Sequence, residues 1–310
     1  MSKIHDFKTH SDLKNLEDSI SNGNQEVMPF LYPYRNKEIG SLLQKIIKKF
    51  TKKYETPMNF FEKKKFNTFM EFFTRRLSVE KDKEITSRAK SQFSMVLPAE
   101  SDVESIGRMG DTSSIVRLKK PGAEVKQDLL SIGIDASQMD FVNMKLQKAY
   151  YHRIHSPVTG TIEKLVPVSK SDIMFGENSL WAVDIDTEKH GHVVMLLVGE
   201  LSIQDFKFYK NEGDHVDIFE QIGRFDWGSQ VVMLYEHGMF PGEILVETGC
   251  TYFVGDGIFP AKELSSNFGP TGAALGGGDV SVDPSSQRDQ IDRNLEPTHT
   301  IKKFGELDGI

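Results

Sequence analysis

Cysteine is almost missing from this chain. Its 310 residues hold one, Cys250, so no disulfide can close within it and a cysteine-rich metal site is excluded. A reducing compartment agrees with that usage. A secretory h-region is missing too: the opening "MSKIHDFKTHSDLKNLEDSI" holds no apolar stretch, so no signal peptide is expected. Long hydrophobic runs are also lacking. The longest, around "HVVMLLVGEL" (192–201), falls far short of the roughly 20 residues that cross a bilayer. The expected location is therefore the cytoplasm or the periphery of a membrane. No P-loop, dinucleotide-binding loop or G-x-S-x-G elbow occurs, and the "GGG" at 276–278 has neither a clear strand before it nor a helix after it. The formal net charge of −7 argues against nucleic acid as a partner.

What the chain does have is apolar bulk. A hydrophobic fraction of 38% with 21 Phe is enough to fill a sizeable core and excludes wholesale disorder. After a polar leader, "SLLQKIIKKFTKKY" places Leu42, Leu43, Ile46, Ile47 and Phe50 on one helical face and lysines on the rest. Eight Lys stand against two Glu between residues 42 and 66, which fits either a surface-seeking basic helix or a packed helix with a solvated lysine face. "FNTFMEFFTRRL" (66–77) predicts a second amphipathic helix, with Arg75 and Arg76 suited to its C-terminal dipole. From residue 93 short β-branched runs broken by Gly and Pro predict strands.

Two loose internal similarities run through this β-rich part. "LPAESDVESIG" (97–107) parallels "HSPVTGTIEKLV" (155–166), and "NEGDHVDIFEQIGRF" parallels "ETGCTYFVGDGIF". Beyond about residue 262 the Gly/Ser/Pro-rich composition reads as a flexible tail. The expected fold class is α+β: N-terminal amphipathic helices packed on a β-rich barrel or sandwich core. The expected divisions are a polar and basic extension (1–60), a folded core domain (61–262) and a tail (263–310).

Few residues offer chemistry. His152 and His155 in "YYHRIHSPVTG" are three apart, but the segment reads as extended, where such a pair points to opposite faces; a shared metal is not expected. His190 and His192 share a face at i, i+2, but no third ligand stands near in sequence and only His237 could approach in space; exposed strand-end histidines explain the pair adequately. No metal is therefore assigned. Glu100 and Asp102 in "PAESD" lie at a strand entry, where one carboxylate could orient a histidine. The least ordinary stretch is "QIGRFDWGSQVVMLYE" (221–236). Its Gly228-Ser229 pair precedes an apolar run to which neither residue contributes.

Taken together, five segments resemble the phosphatidylserine decarboxylase family. "FNTFMEFFTRRL" resembles its helical signature F-x-x-F-x-x-F-F-x-R-x-L, and "LPAESDVESIG" its P-A-D-G-x-V segment. "YYHRIHSPVTG" is similar to Y-H-R-x-H-x-P-x-x-G, and "KHGHVVMLLVGE" to H-G-x-V-x-x-x-x-V-G-A. "FEQIGRFDWGSQVVMLYE" resembles K-G-x-E-x-G-x-F-x-x-G-S-T, where members of the family cut themselves. Order and spacing agree over roughly residues 60–260.

The resemblance implies a self-processing, pyruvoyl-dependent decarboxylase. The Ser229 hydroxyl would attack the Gly228 carbonyl, which no Cβ shields. The resulting ester would eliminate, and hydrolysis would leave a pyruvoyl group on residue 229, so the cofactor is covalent and made from Ser229. The products, chains 1–228 and 229–310, would stay associated. His155 matches the base, Glu100 the carboxylate that orients it, and His152 a proton donor to the substrate. Two residues depart from the pattern: Glu100 stands where the family has Asp, and Gln230 follows Ser229 where Thr is usual.

The implied substrate is phosphatidylserine, converted to phosphatidylethanolamine with release of CO₂. The alternatives are a soluble amino acid as substrate, or a non-catalytic homologue that serves as a binding module. Peripheral membrane association and a homodimer are the implied assemblies, although no segment identifies an interface.

Overall fold

The computed structural model describes residues 35–36, 38, 40–63, 65–110, 122–168, 180–199, 206–226, 230–261 and 302–303. Helix α1 (Ser41–Lys53) buries Leu43, Ile46, Ile47 and Phe50 and leaves Lys45, Lys48, Lys49, Lys52 and Lys53 exposed. That division follows the 3.6-residue period of its sequence.

Helix α2 (Phe69–Phe73) is much shorter than the predicted 66–77. Thr68 caps it by accepting the Glu71 N–H (3.1 Å), and Glu71 accepts the Asn67 N–H in return. The helix then stops at Thr74. Arg75 does not sit on a helix end in solvent; it is buried, with its guanidinium over the faces of Phe61 (4.3 Å) and Phe72 (4.7 Å). Helix α3 (Val79–Gln92) opens on Ser78, whose hydroxyl accepts the Lys81 N–H. Helix α4 spans Gly122–Ser131.

Fourteen strands follow in the described residues: β1 (Phe93–Val96), β2 (Ser101–Arg108), β3 (Met139–Lys145), β4 (Arg153–His155), β5 (Gly160–Pro167), β6 (Leu180–Asp186), β7 (His192–Val198), β8 (Phe206–Phe208), β9 (His215–Val216), β10 (Gln221–Phe225), β11 (Gln230–Glu236), β12 (Cys250–Tyr252), β13 (Gly257–Pro260) and β14 (Lys302–Lys303). Nine form one antiparallel sheet in the order β14-β12-β2-β3-β11-β7-β6-β5-β9; β4-β10-β8 and β1-β13 form two smaller sheets. The edges β14 and β9 do not pair, so the core is an open sandwich and not a closed barrel. From the expected tail, Lys302 and Lys303 pair with β12; the other residues of 263–310 lie outside the described set.

The two central strands explain the longest apolar runs. In β11, Val231, Met233 and Tyr235 join one core while Val232 and Leu234 join a second on the opposite face. In β7, Val193, Met195 and Leu197 alternate with Val194, Leu196 and Val198 in the same way. Both faces are covered, so alternation of polar and apolar residues disappears. The small sheets and α1 and α2 lie over the first face, and Leu129 of α4 over the second.

The internal similarities of the sequence mark a structural duplication. The sheet order is symmetric about the β11/β7 pair: β12-β2-β3-β11 on one side, β7-β6-β5-β9 on the other. Reciprocal bonds join the halves, since His155 N–H donates to the Pro98 carbonyl (2.9 Å) and Val96 N–H to that of Pro157 (3.0 Å). Each half also carries a turn closed by an i+3 to i bond, Asp217–Glu220 (2.9 Å) and Phe253–Asp256 (3.2 Å). In the first turn, Phe219 N–H donates to Ser156 O (2.8 Å) and Ser156 N–H to Glu220 O (2.7 Å). In the second, Gly255 N–H donates to Leu97 O (2.9 Å) and Leu97 N–H to Asp256 O (2.8 Å).

Candidate active site

Gly228 and Ser229 fall outside the described residues; the strands on either side of them do not. Strand β4 lies antiparallel to β10, with Arg153 opposite Arg224 and His155 opposite Gln221. The Phe225 N–H, at the end of β10, donates to the His152 carbonyl (2.9 Å). Both histidines therefore flank the strand that runs into residues 226–229.

His155 is fully enclosed. Its Nδ1 lies 2.7 Å from the Phe219 carbonyl and its Nε2 3.0 Å from the Tyr151 hydroxyl. A carbonyl can only accept, so Nδ1 carries the hydrogen and Nε2 holds the lone pair, which accepts from Tyr151. The Phe219 ring stacks on the imidazole at 4.2 Å with 16° between planes. Burial drives the imidazole down to about pKa 4 against the pull of the Phe219 bond, and Arg153 adds to the fall. At neutral pH it is an uncharged base, the form that can take a proton.

The structure differs from expectation at Glu100. Its carboxylate does not reach His155; Oε2 accepts the Tyr151 main-chain N–H at 2.7 Å. Glu100 therefore meets His155 only through Tyr151, which holds Nε2 by its hydroxyl. Burial pushes the Glu100 carboxyl up to about pKa 7, against the pull of the Arg75 charge and the Tyr151 N–H, with Asp102 and Asp256 reinforcing the rise. Asp102 is no substitute partner, because its oxygens accept from Gln147 (2.6 Å), the Tyr150 hydroxyl (2.6 Å) and Thr251 (2.7 Å). Arg75 donates to the carbonyls of Phe72 (3.2 Å) and Ala149 (2.5 Å), and burial lowers it to about pKa 10.

His152 looks elsewhere, as i, i+3 spacing on an extended segment requires. Its ring stacks on Phe73 at 3.7 Å, and Nδ1 donates to the Tyr150 carbonyl at 2.7 Å. Its buried Nε2 has no hydrogen-bond partner among the described residues. Burial, with Arg75 nearby, lowers it to about pKa 3. Gln230 donates from its amide to Asn143 of β3 (2.7 Å), which ties the residue after Ser229 to the sheet.

His190, His192 and His237 do not converge. His237 pairs with Asp140 (2.7 Å), His190 lies against Phe240, and His192 pairs with Asp184 (3.0 Å). Glu163, Asp184 and His192 hold ligand atoms within 4.8 Å of one another, a grouping that spacing along the chain did not suggest. Tyr151, Phe219 and Arg75 were also missed as site residues. Period-two reading of "YYHRIH" puts Tyr151 on the face of His155; for Phe219 the sequence carries no turn signal.

Residues 69–259 match the profile of the family described as phosphatidylserine decarboxylase, which is more than half of the chain. The chain belongs to that family. Among its relatives, "Phosphatidylserine decarboxylase proenzyme 2" of Oryza sativa subsp. japonica is 29% identical over 244 residues, covering 70% of this chain and 38% of the rice protein. "Phosphatidylserine decarboxylase proenzyme" of Geobacillus kaustophilus is 24% identical over 213 residues, covering 63% of this chain and 77% of its own. The protein of the same name in Psychromonas ingrahamii is 27% identical over 236 residues, covering 64% and 80%. This chain thus spans well under half of the rice relative's length.

Proposed function

We propose that the chain is a proenzyme that cuts itself between Gly228 and Ser229 and then decarboxylates phosphatidylserine to phosphatidylethanolamine. The observation that carries this reading is His155: a buried, uncharged imidazole with a fixed tautomer, beside the strand that enters Gly228-Ser229. The names of the relatives, all decarboxylase proenzymes, favour the lipid over a free amino acid.

In the cut, Ser229 Oγ adds to the Gly228 carbonyl carbon while His155 Nε2 takes the hydroxyl proton. The peptide C–N bond breaks, and Gly228 becomes an ester on the serine oxygen. Loss of the Ser229 Cα proton then expels Gly228 as a carboxylate and leaves a dehydroalanine. Water adds, ammonia leaves, and a pyruvoyl group caps residue 229. The Tyr151 hydroxyl holds the Nε2 lone pair in this structure, so the phenol must move aside for this chemistry.

His152 fits beside such a group, because its unpartnered buried Nε2 is the orphan the site would use. The bound pyruvoyl supplies a carbonyl that accepts the electrons released as CO₂ departs. Nε2 is unprotonated in the uncut chain, so His152 must accept a proton before it can give one.

The products 1–228 and 229–310 remain one body because β11, the first strand of the shorter chain, is hydrogen-bonded on one side to β3 and on the other to β7. The exposed lysines of α1 face an anionic interface at the membrane periphery; no helix among the described residues is long and apolar enough to cross it.

Intact mass and a denaturing gel test the cut. The purified chain should run as two pieces, the smaller blocked to Edman chemistry, and Ser229→Ala should run as one. Phosphatidylserine vesicles should then yield phosphatidylethanolamine. An unbroken wild-type chain with serine at 229 would overturn the reading.

A further inference from the structure

Phe219 holds a backbone conformation that suits glycine. Its φ is +68°, in the third position of the turn Asp217–Glu220, where a type II turn calls for φ > 0. The duplicated turn Phe253–Asp256 carries Gly255 at that position, with φ +81°. A bulky residue there is a steric outlier, and such outliers gather at functional sites. The rotation aims the 219 carbonyl at His155 Nδ1. The ring is captured between the His155 face and Gly255, where an added Cβ would come within 2.8 Å of the Phe219 ring.

We propose that the left-handed peptide at Phe219 is the positioning group for His155, and that its carbonyl takes the orienting role the family resemblance gives to the carboxylate at residue 100. The carbonyl fixes the Nδ1–H tautomer and leaves the Nε2 lone pair for the proton of Ser229. Glu100 holds Tyr151 in place and not the imidazole. This assignment rests on His155 being the base of the self-cut.

Two readouts test it on the full chain. The rate of cutting is followed in a pulse-labelled translation product. The tautomer is read in uncut Ser229→Ala chain by long-range proton–nitrogen NMR, with His155 identified through His155→Gln. Phe219→Gly and Phe219→Val both lose the ring, but only glycine favours the left-handed region. The glycine variant should keep the Nδ1–H tautomer; the valine variant should lose it and cut at least about tenfold slower than the glycine variant, the low end of what a positioned base contributes. Glu100→Gln should keep the tautomer, since an amide oxygen still accepts the Tyr151 N–H.

Equal rates and tautomers in the glycine and valine variants overturn the proposal, and so does loss of the Nδ1–H form in Glu100→Gln. If the valine chain does not fold, Phe219→Asn against Phe219→Ala makes the same comparison, because asparagine tolerates positive φ. A wild-type chain that never cuts sinks the self-processing reading alone; the tautomers still decide the role of residue 219.

Discussion

At the scale of single residues, the site is governed by what burial does to three titrating groups. His152 and His155 are held at about pKa 3 and about 4, below the free value of 6.5. As pH falls below 6.5 the unfolded chain binds protons there that the folded chain refuses, so stability drops, by up to about 1.4 kcal/mol per pH unit for each group. Glu100 acts in the opposite sense. Raised from 4.5 to about 7, it keeps a proton in the folded chain that the unfolded chain has lost between those values, so its contribution weakens as pH rises. From pH 6.5 to 4.5 two losses oppose one gain. Glu100→Gln removes the gain, and the acid loss of stability from these groups should roughly double, from about 1.4 to about 2.7 kcal/mol per pH unit. Urea unfolding of the Ser229→Ala chain at pH 6.5 and 5.0 measures this; an unchanged slope would show that Glu100 does not titrate there. Residue identity was enough to nominate both histidines and Glu100. It was not enough to say that Phe219 holds His155, because that contact joins β4 to a turn some 64 positions away in the chain, or that the Tyr151 hydroxyl, four residues before His155, closes on Nε2.

At the scale of elements, the short helix α2 delivers Phe72, Phe73 and Arg75 to the core beside His152. Five residues make a weak helix unaided, so its cap matters more than its propensity. Thr68→Ala removes the acceptor of the Glu71 N–H and should cost about 1 kcal/mol by urea unfolding. Ile46→Ala on α1, at a fully buried position, should cost about 2–5 kcal/mol by the same measurement. The lysine face of α1 should be dispensable for folding: replacing Lys45, Lys48, Lys49 and Lys52 with Gln should leave the melting temperature within about 2 °C while weakening binding to anionic vesicles about tenfold or more. Unchanged vesicle binding would remove α1 from the membrane contact. Helix α1 and strands β7 and β11 were readable in the sequence because their apolar spacing is strong. The end of α2 was not, because Arg75 looks like a surface helix terminus until Phe61 and Phe72 are seen to close around it.

At the scale of the whole molecule, the fold is a duplication with one asymmetric turn. The halves meet at β11 and β7, where Met233 lies opposite Met195, and the candidate self-cut falls just before β11. A break there severs the chain at the entry to the central strand, yet seven residue pairs to β3 and six to β7 hold that strand in place. The two products should therefore co-elute as one species under native conditions and separate only in denaturant, as native and denaturing chromatography would show. Separation without denaturant would mean that β11 leaves the sheet after cutting.

Composition, apolar periodicity and motif order by themselves determined the α+β class, the family, and the short set of residues able to do chemistry. Each of these is written locally, in spacings of a few residues. Only the tertiary structure decided that the sheet stays open, that Arg75 turns inward, and that Glu100 stops at Tyr151. It also set Phe219 against His155. These depend on which distant segments share a wall, and on burial that shifts the carboxyl and imidazoles by excluding water, a quantity no stretch of sequence carries alone.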